Sequence, residues 1–298
     1  MQHTTIRVIF LIIYLLIFQS LIMLAQDSLE EIEKIREEKE FIAYLSQKGL
    51  YKEALLAYNQ LPANFSNKGL RDSLYYYAGW SSYNLKDLDE SAELLKKVSR
   101  GTVFFPKSHF FSGYNYMHLG KYEIARAQLE GNNWDKKLNQ ELKHFELAGI
   151  ALLEKDFQAY QSHSLHFDYN HYALRNEELL FDSLYQNMIN FKPKSMVLAG
   201  VMSSFLPGSG KVYAGKLGGG ITTFLVTSIL GAITAENYLK AGPTNYKTII
   251  FGSLFTIFYI GNIYGSVFSI KLYREEFYLT HEHKILFNLH IPLRRVFN

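Results

Sequence analysis

Side chains that could carry chemistry are sparse in this sequence, and the densest group is histidine. Four candidate metal ligands share one short stretch and two more form a second pair: His163, His166, Asp168, His171, and then His281 with His283. A zinc site needs converging ligands held by an ordered second shell. His-x-x-His without Glu or Cys at standard spacing does not supply that pattern. We therefore expect these histidines to be solvated, and we expect no metal and no other cofactor.

The Gly-rich stretch 207–215 places Lys211 where a phosphate-binding loop would place its lysine. That loop requires Ser or Thr directly after the lysine, and Val212 stands there instead. No Ser/His/Asp order, paired carboxylates or dinucleotide fingerprint rises above chance elsewhere. We therefore expect a protein that is not an enzyme; the alternative is an enzyme whose active site has no recognisable motif.

Apolar residues are concentrated in two parts of the chain, 6–24 and 196–270, although the mean hydropathy of all 298 residues is only -0.07. The stretch between the two parts, residues 27–190, holds 19 Lys and Arg against 24 Asp and Glu. Residues 191–298, which include the second apolar part, hold 11 Lys and Arg against 4 Asp and Glu. The basic charge thus belongs to the second apolar part, where Lys and Arg favour anionic headgroups. This distribution predicts a lipid bilayer as a partner and no nucleic acid.

The first apolar part has the order of a secretory signal. Arg7 precedes the apolar run 8–18, Gln19 and Ser20 interrupt the apolar sequence, cleavage would follow Ala25, and the chain turns acidic from Asp27. We expect a signal peptide over 1–25. An uncleaved anchor is the alternative, because 6–24 is close to the length of about 20 residues that spans a bilayer. Cysteine is absent, which excludes disulfides and thiolate metal sites.

A pattern with a period near 35 residues runs through the acidic middle of the chain. Three segments place a large residue first, a small one three positions later and a large one after four more: Tyr51, Ala54, Tyr58; Leu88, Ser91, Leu95; and Tyr122, Ala125, Leu129. In a helix these three positions share one face. A fourth segment begins at Phe157 but has Tyr160 in the small position, so it is a doubtful repeat or a cap.

The pattern resembles the second helix of the tetratricopeptide repeat. The resemblance implies a helical-repeat domain over 27–190, in which stacked helix pairs share a core and present a concave surface to peptides or other proteins. The aromatic run Tyr75, Tyr76, Tyr77 with Trp80 and Tyr83 could line that surface or pack between helices. An irregular all-helical domain is the alternative.

The second apolar part predicts a membrane domain over 195–273. Segment 196–206 is too short to cross as an ordinary helix and suits a re-entrant or interfacial one. Helices over 217–239 and 248–272 form a hairpin, and a basic tail follows over 274–298. The predicted fold is therefore all-α, a tetratricopeptide-like solenoid plus a C-terminal membrane hairpin.

Two short motifs mark this domain. The first, Pro207, Gly208, Gly210, Tyr213 and Gly215, resembles the PGxGxxYxG turn of small two-helix membrane domains of unknown function, which follow tetratricopeptide-like repeats in bacterial envelope proteins. The second, Gly261, Asn262, Tyr264 and Gly265, resembles another signature of those proteins. Gly261 and Gly265 also make a small face for helix packing, and we expect Asn262 to hydrogen-bond to a neighbouring apolar segment.

These features predict a membrane-anchored interaction scaffold of the bacterial cell envelope, with periplasmic repeats that bind other envelope proteins or peptides and a module in the inner membrane. The alternative is a small membrane-assembly or transport factor that the repeats regulate; a pore made of one hairpin per chain would require homo-oligomers. Because Lys and Arg favour the cytoplasmic side, we expect three crossings, with segment 196–206 included, and a cytoplasmic tail.

Overall fold

The structure, a computed structural model, describes residues 32–62 and 67–297 together with Gln19. The predicted signal peptide 1–25 otherwise lies outside the described residues. The described chain is 79% helical and has no strand, which confirms the all-α class. Its described residues divide into two compact units, one made of those up to 180 together with 286–297 and one of residues 181–285. We call them the helix-pair unit and the apolar-helix unit.

Eight helices of the helix-pair unit follow one another as four pairs, and consecutive helices are in contact from α2 to α8. They are α1 (32–47), α2 (Tyr51–Asn59), α3 (Lys68–Asn84), α4 (Leu88–Lys96), α5 (Phe105–His118), α6 (Tyr122–Glu130), α7 (Lys137–Glu154) and α8 (Phe157–Ser164). A ninth, α9 (Arg175–Ile189), runs from this unit into the next.

The turn inside each pair has the same geometry. Gly49, Lys86, Gly120 and Lys155 all have positive φ, and each stands two residues before the first residue of α2, α4, α6 or α8. The left-handed conformation is a common way to end a helix and turn the chain. The four helix starts are the four segment starts that the sequence pattern marks, including the doubtful fourth at Phe157.

The small residues of the pattern lie where the two helices of a pair approach. Ala54, Ser91 and Ala125 are completely buried, as is Leu95. The Ser91 hydroxyl donates to the Gly79 carbonyl oxygen at 2.8 Å, so its polar atom is satisfied inside the core. A larger side chain at these positions would have to displace the facing helix.

The apolar-helix unit contains two short helices and two long ones. α10 (Met196–Phe205) and α11 (Ser209–Tyr213) precede α12 (Leu217–Ala241), and α13 (Tyr246–Phe297) begins here. Of the described helices, α12 and α13 are long and apolar enough to cross a membrane. Their side chains are largely exposed, with Ile257 at 65% and Leu239 at 82%, which is unfavourable in water and expected in lipid.

The boundaries of these helices differ from the sequence-based ones. The sequence analysis placed helices over 217–239 and 248–272 and a tail over 274–298, whereas α13 continues to Phe297. The extension has a physical reason: Ile285, Leu289 and Leu293 are spaced along one helix face and are all buried. The residues from 286 onward belong to the helix-pair unit.

Candidate functional site

The turn between α10 and α11 depends on glycine at position 208. Gly208 has φ +84°, a left-handed conformation that side chains disfavour. A Cβ atom there would lie 2.1 Å from the Gly220 carbonyl oxygen of α12. The turn and the start of α12 therefore approach each other at backbone distance, which only glycine allows.

Asn262 of α13 joins this turn to the helix before it. Its Oδ1 accepts from the Gly208 backbone N–H at 2.8 Å, and its Nδ2 donates to the Ser203 carbonyl oxygen at 3.0 Å. Asn262 is almost completely buried, so one side chain satisfies a donor and an acceptor that the break in the helix leaves open. The expected hydrogen bond of Asn262 to a neighbouring apolar segment is thus present.

Two serines that the sequence analysis missed complete the network. The Ser203 hydroxyl accepts from the Gly210 backbone N–H at 2.9 Å and lies 2.6 Å from the Ser266 hydroxyl. Both serines are completely buried. In the sequence, Ser203 and Ser266 are recognisable only as small polar residues inside apolar segments. Neither segment by itself shows that the two side chains are in contact.

Tyr213 anchors the other end of the motif. Its hydroxyl accepts from the Ser195 backbone N–H at 3.2 Å, and its carbonyl oxygen accepts from the Lys194 ammonium at 2.8 Å. Arg274 donates to the Lys194 carbonyl oxygen at 2.9 Å. Cations around a tyrosine beside apolar helices are typical of the headgroup level of a membrane.

The remaining motif residues take different places. Gly215 has φ +88° in the turn before α12, and Pro207 lies in the turn after α10. Gly265 faces Lys211, whereas Gly261 borders open space and Tyr264 is 74% exposed. The second motif therefore contributes Asn262 to the turn, while Tyr264 does not join it.

Aromatic side chains cluster in the helix-pair unit. Tyr76 stacks on Phe104 at 4.2 Å between ring centroids, and Trp80 stacks on Tyr83 at 5.2 Å. The Lys107 ammonium lies 3.9 Å from the Trp80 ring centroid. Tyr76 and Tyr83 are buried and Trp80 is half-buried, so this run both packs between helices and presents one partly open face.

The segment 286–297 of α13 packs on the same unit, and we call it the C-terminal segment. His290 stacks on Tyr114 at 5.2 Å and is hydrogen-bonded to the Tyr83 hydroxyl. Leu289 fills the space above Gly149, where a Cβ would lie 2.7 Å from its Cδ2. Arg295 donates to the buried Glu177 carboxylate at 2.8 Å.

Burial sets the charge state at this contact. It lowers the pKa of His290 to about 4, with the positive charge of Arg294 acting in the same direction. The imidazole is therefore neutral near pH 7, as its aromatic surroundings require. This contact was not predicted from the sequence, in which residues 274–298 have the composition of a free basic tail.

Five carboxylate residues are buried in the described part of the helix-pair unit: Asp72, Glu141, Glu146, Glu177 and Glu178. Glu146 is completely buried, and burial raises its pKa well above the usual value. Burial, reinforced by the neighbouring Glu141, raises the pKa of Glu178 to about 8. Its carboxyl oxygen accepts from the Tyr169 backbone N–H at 3.0 Å. Because these carboxyl groups are buried and not part of an open cleft, we expect them to make the stability of the fold depend on pH.

The candidate metal ligands of the stretch 163–171 do not converge on one point. His144 of α7 joins His163, with 3.3 Å between their Nδ1 atoms, and stacks on His166. Asp168 pairs with Lys137 at 2.7 Å instead. Within the described residues, no group of three or more His, Asp or Glu side chains could hold a metal ion.

Comparisons with known proteins add no relative. No protein-family model, curated protein or solved structure matches this chain.

Proposed function

We propose that this chain is a membrane-anchored interaction scaffold of the bacterial cell envelope. One observation carries the proposal: a unit of helix pairs is joined, at both ends of residues 181–285, to a unit that exposes two apolar helices of membrane-spanning length. Two such helices in a soluble protein would be buried. The low burial of the apolar parts of α12 and α13 therefore favours a lipid environment.

The helix pairs act in this proposal as tetratricopeptide-like repeats. The recurring positive-φ turn residue, the recurring helix start and the buried small residue support that relation. Stacked pairs of this kind offer extended surfaces to proteins or peptides. Trp80 is the part of the aromatic cluster best placed for such a partner, because its ring is only half-buried and Trp is frequent at binding hot spots.

The membrane topology that we propose has two crossings, by α12 and by the apolar first part of α13. The C-terminal segment packs on the helix pairs, so the two must lie on the same side of the membrane. An even number of crossings follows, which argues against the three crossings and cytoplasmic tail favoured by charge alone. The basic residues of the tail are not all free, because Arg295 is paired with Glu177.

The N-terminal signal makes the periplasm the proposed side of the helix pairs. Either a cleaved signal or a retained anchor with Arg7 inside exports the residues that follow. The short connection between α12 and α13, residues 242–245, then faces the cytoplasm.

Crosslinking in intact membranes tests the scaffold. The full chain is used as bait, and captured proteins are compared with those of Trp80→Ala and of Tyr172→Ala, whose ring is 75% exposed and lies outside the aromatic cluster. We expect a protein captured by the native chain and by Tyr172→Ala but lost with Trp80→Ala. Equal capture by all three would contradict a partner at this surface, and release of the chain from membranes by carbonate would contradict the anchor.

A further inference from the structure

Lys211 projects from α11 into the space between α12 and α13. Its ammonium donates to the Thr223 hydroxyl at 2.7 Å. A Cβ at Gly265 would lie 3.3 Å from its Cε, and one at Gly219 would lie 4.0 Å from its Cδ. The glycines on the two long helices thus leave a channel that the aliphatic part of Lys211 occupies.

A cavity of about 400 Å³ opens beside this ammonium. Its polar part is formed by Lys211, Thr223 and Asn262, and its apolar part by Val226, Ile257 and Phe258. Gly261 borders it, and a Cβ at that position would meet nothing within 4 Å. The cavity therefore combines a positive end with an apolar wall, and the absence of a side chain at position 261 keeps it open.

The positive charge of Lys211 is not neutralised within the described residues. Among their ion pairs none includes Lys211, and its recorded hydrogen-bond partner, Thr223, is an uncharged hydroxyl that itself donates to the Gly219 carbonyl oxygen. An ammonium between apolar helices is costly in a bilayer unless an anion or water accompanies it. An anionic ligand in the cavity would accept from its remaining N–H groups.

We propose that this cavity binds the phosphate headgroup of an anionic membrane lipid, with an acyl chain along Val226, Ile257 and Phe258. The proposal rests on the membrane insertion proposed above. The apolar wall favours a lipid over a free anion. A zwitterionic headgroup is disfavoured because its own cation would be brought close to Lys211.

Lipid binding to the purified full chain tests the proposal. The chain in neutral detergent is titrated with phosphatidylglycerol or with phosphatidylcholine of the same acyl chains, and retained lipid is counted by native mass spectrometry. We expect a preference for phosphatidylglycerol of about tenfold or more for one bound molecule. Lys211→Met should abolish the preference and Lys211→Arg should keep it. Equal retention of both lipids, or a Lys211→Met variant that behaves like the native chain, would overturn the proposal.

Two further variants separate the cavity from general charge and from loss of fold. Lys216→Met removes a cation of the same unit that pairs with Glu276 at 3.2 Å, and it should keep the preference. Gly261→Leu keeps every charge but fills the cavity, and it should lose bound lipid while the circular dichroism spectrum stays helical. Loss with Lys216→Met, or retention with Gly261→Leu, would overturn the cavity as the site.

Inorganic phosphate distinguishes a free anion from a lipid. It should fail to displace phosphatidylglycerol, and displacement would mean that the cavity takes phosphate alone. Carbonate extraction of membranes is read separately. A chain that stays in membranes but shows no lipid preference disproves the lipid site only, whereas a chain that carbonate releases disproves the membrane insertion itself.

Discussion

At the scale of single residues, the Asn262 side chain is hydrogen-bonded to two backbone groups at the break between α10 and α11. It accepts a hydrogen bond from the Gly208 N–H and donates one to the Ser203 carbonyl oxygen, and all three residues are buried. Removing its amide would leave both groups unsatisfied. Buried polar groups that lose their partner are costly, and more so where the surroundings are apolar.

Asn262→Ala should therefore lower the free energy of unfolding by about 2 to 6 kcal/mol, because it leaves two backbone groups unsatisfied at about 1 to 3 kcal/mol each. Unfolding of the detergent-solubilised chain, followed by loss of helical circular dichroism, measures this. The matched control is Asn237→Ala, because the Asn237 side chain donates only within α12, to the Ile233 carbonyl oxygen. An equal loss for both variants would show that the turn does not depend on Asn262.

Glu178 provides a prediction about pH. Its pKa, about 8 in the folded chain against the usual 4.5, means that the folded state keeps a proton that the unfolded state has released. The free energy of unfolding must then fall as pH rises between those two values. Below about pH 4.5 both states are protonated and the effect vanishes.

Glu178→Gln should raise the melting temperature by a few degrees at about pH 8, because the amide carries no charge. It should leave the melting temperature nearly unchanged at about pH 4.5, where the carboxyl is protonated as well. Thermal unfolding of the native and variant chains at the two pH values measures the difference. Glu123→Gln, an exposed change of the same chemical type, should alter neither. A gain that is the same at both pH values would disprove the titration of Glu178 as its cause.

The sequence revealed residues of this kind only in part. Asn262 and Gly208 stood out because an amide inside an apolar run and a Pro-Gly pair are locally unusual. Glu178 and Glu146 gave no signal, since a glutamate in a helix is ordinarily solvated. Their burial follows from contacts between helices that are distant in the sequence, which spacing along a single helix does not encode.

At the scale of elements, the C-terminal segment belongs to the helix-pair unit although more than 100 residues separate it in sequence from the rest of that unit. Leu289 packs on Gly149, and His290 lies among the rings of Tyr83, Phe111 and Tyr114. A fragment of residues 27–190 has all the helix pairs but leaves this surface uncovered. We expect it to be helical and less stable than the complete unit.

A synthetic peptide of residues 284–298 should therefore bind that fragment and raise its melting temperature. Leu289→Ala in the peptide should remove most of the effect, because truncating a fully buried leucine costs about 2 to 5 kcal/mol. Phe287→Ala is the matched control, since its ring is 66% exposed. Peptides that all act alike, or none that acts, would contradict the packing of this segment.

Helix starts were predictable and helix ends were less so. The segments beginning at Tyr51, Leu88 and Tyr122 start helices because the turn before each is encoded locally. The end of α13 was placed 25 residues too early, at 272 instead of 297, because the charges after 272 outweighed the buried spacing of Ile285, Leu289 and Leu293. A local pattern identifies an amphipathic face, but it does not identify the surface that covers it.

At the scale of the whole molecule, the proposed topology makes a prediction that the absence of cysteine renders simple to test. Single cysteines are placed at Lys52 in α2, at Phe287 in the C-terminal segment and at Thr244 between α12 and α13. Lys52→Cys and Phe287→Cys should react with an impermeant maleimide in intact spheroplasts, and Thr244→Cys should react only after permeabilisation. A protected Phe287→Cys beside a reactive Lys52→Cys would restore an odd number of crossings.

The contact of the C-terminal segment also orders events during synthesis. Tyr83 and Gly149 emerge from the ribosome first, both apolar helices follow, and Leu289 and His290 come only after them. The surface that receives these late residues consequently remains uncovered throughout translation of the apolar helices. A nascent or truncated chain that stops before residue 286 would present exposed aromatic rings to chaperones and proteases. The surface can be covered only in a chain whose apolar helices have already been synthesised.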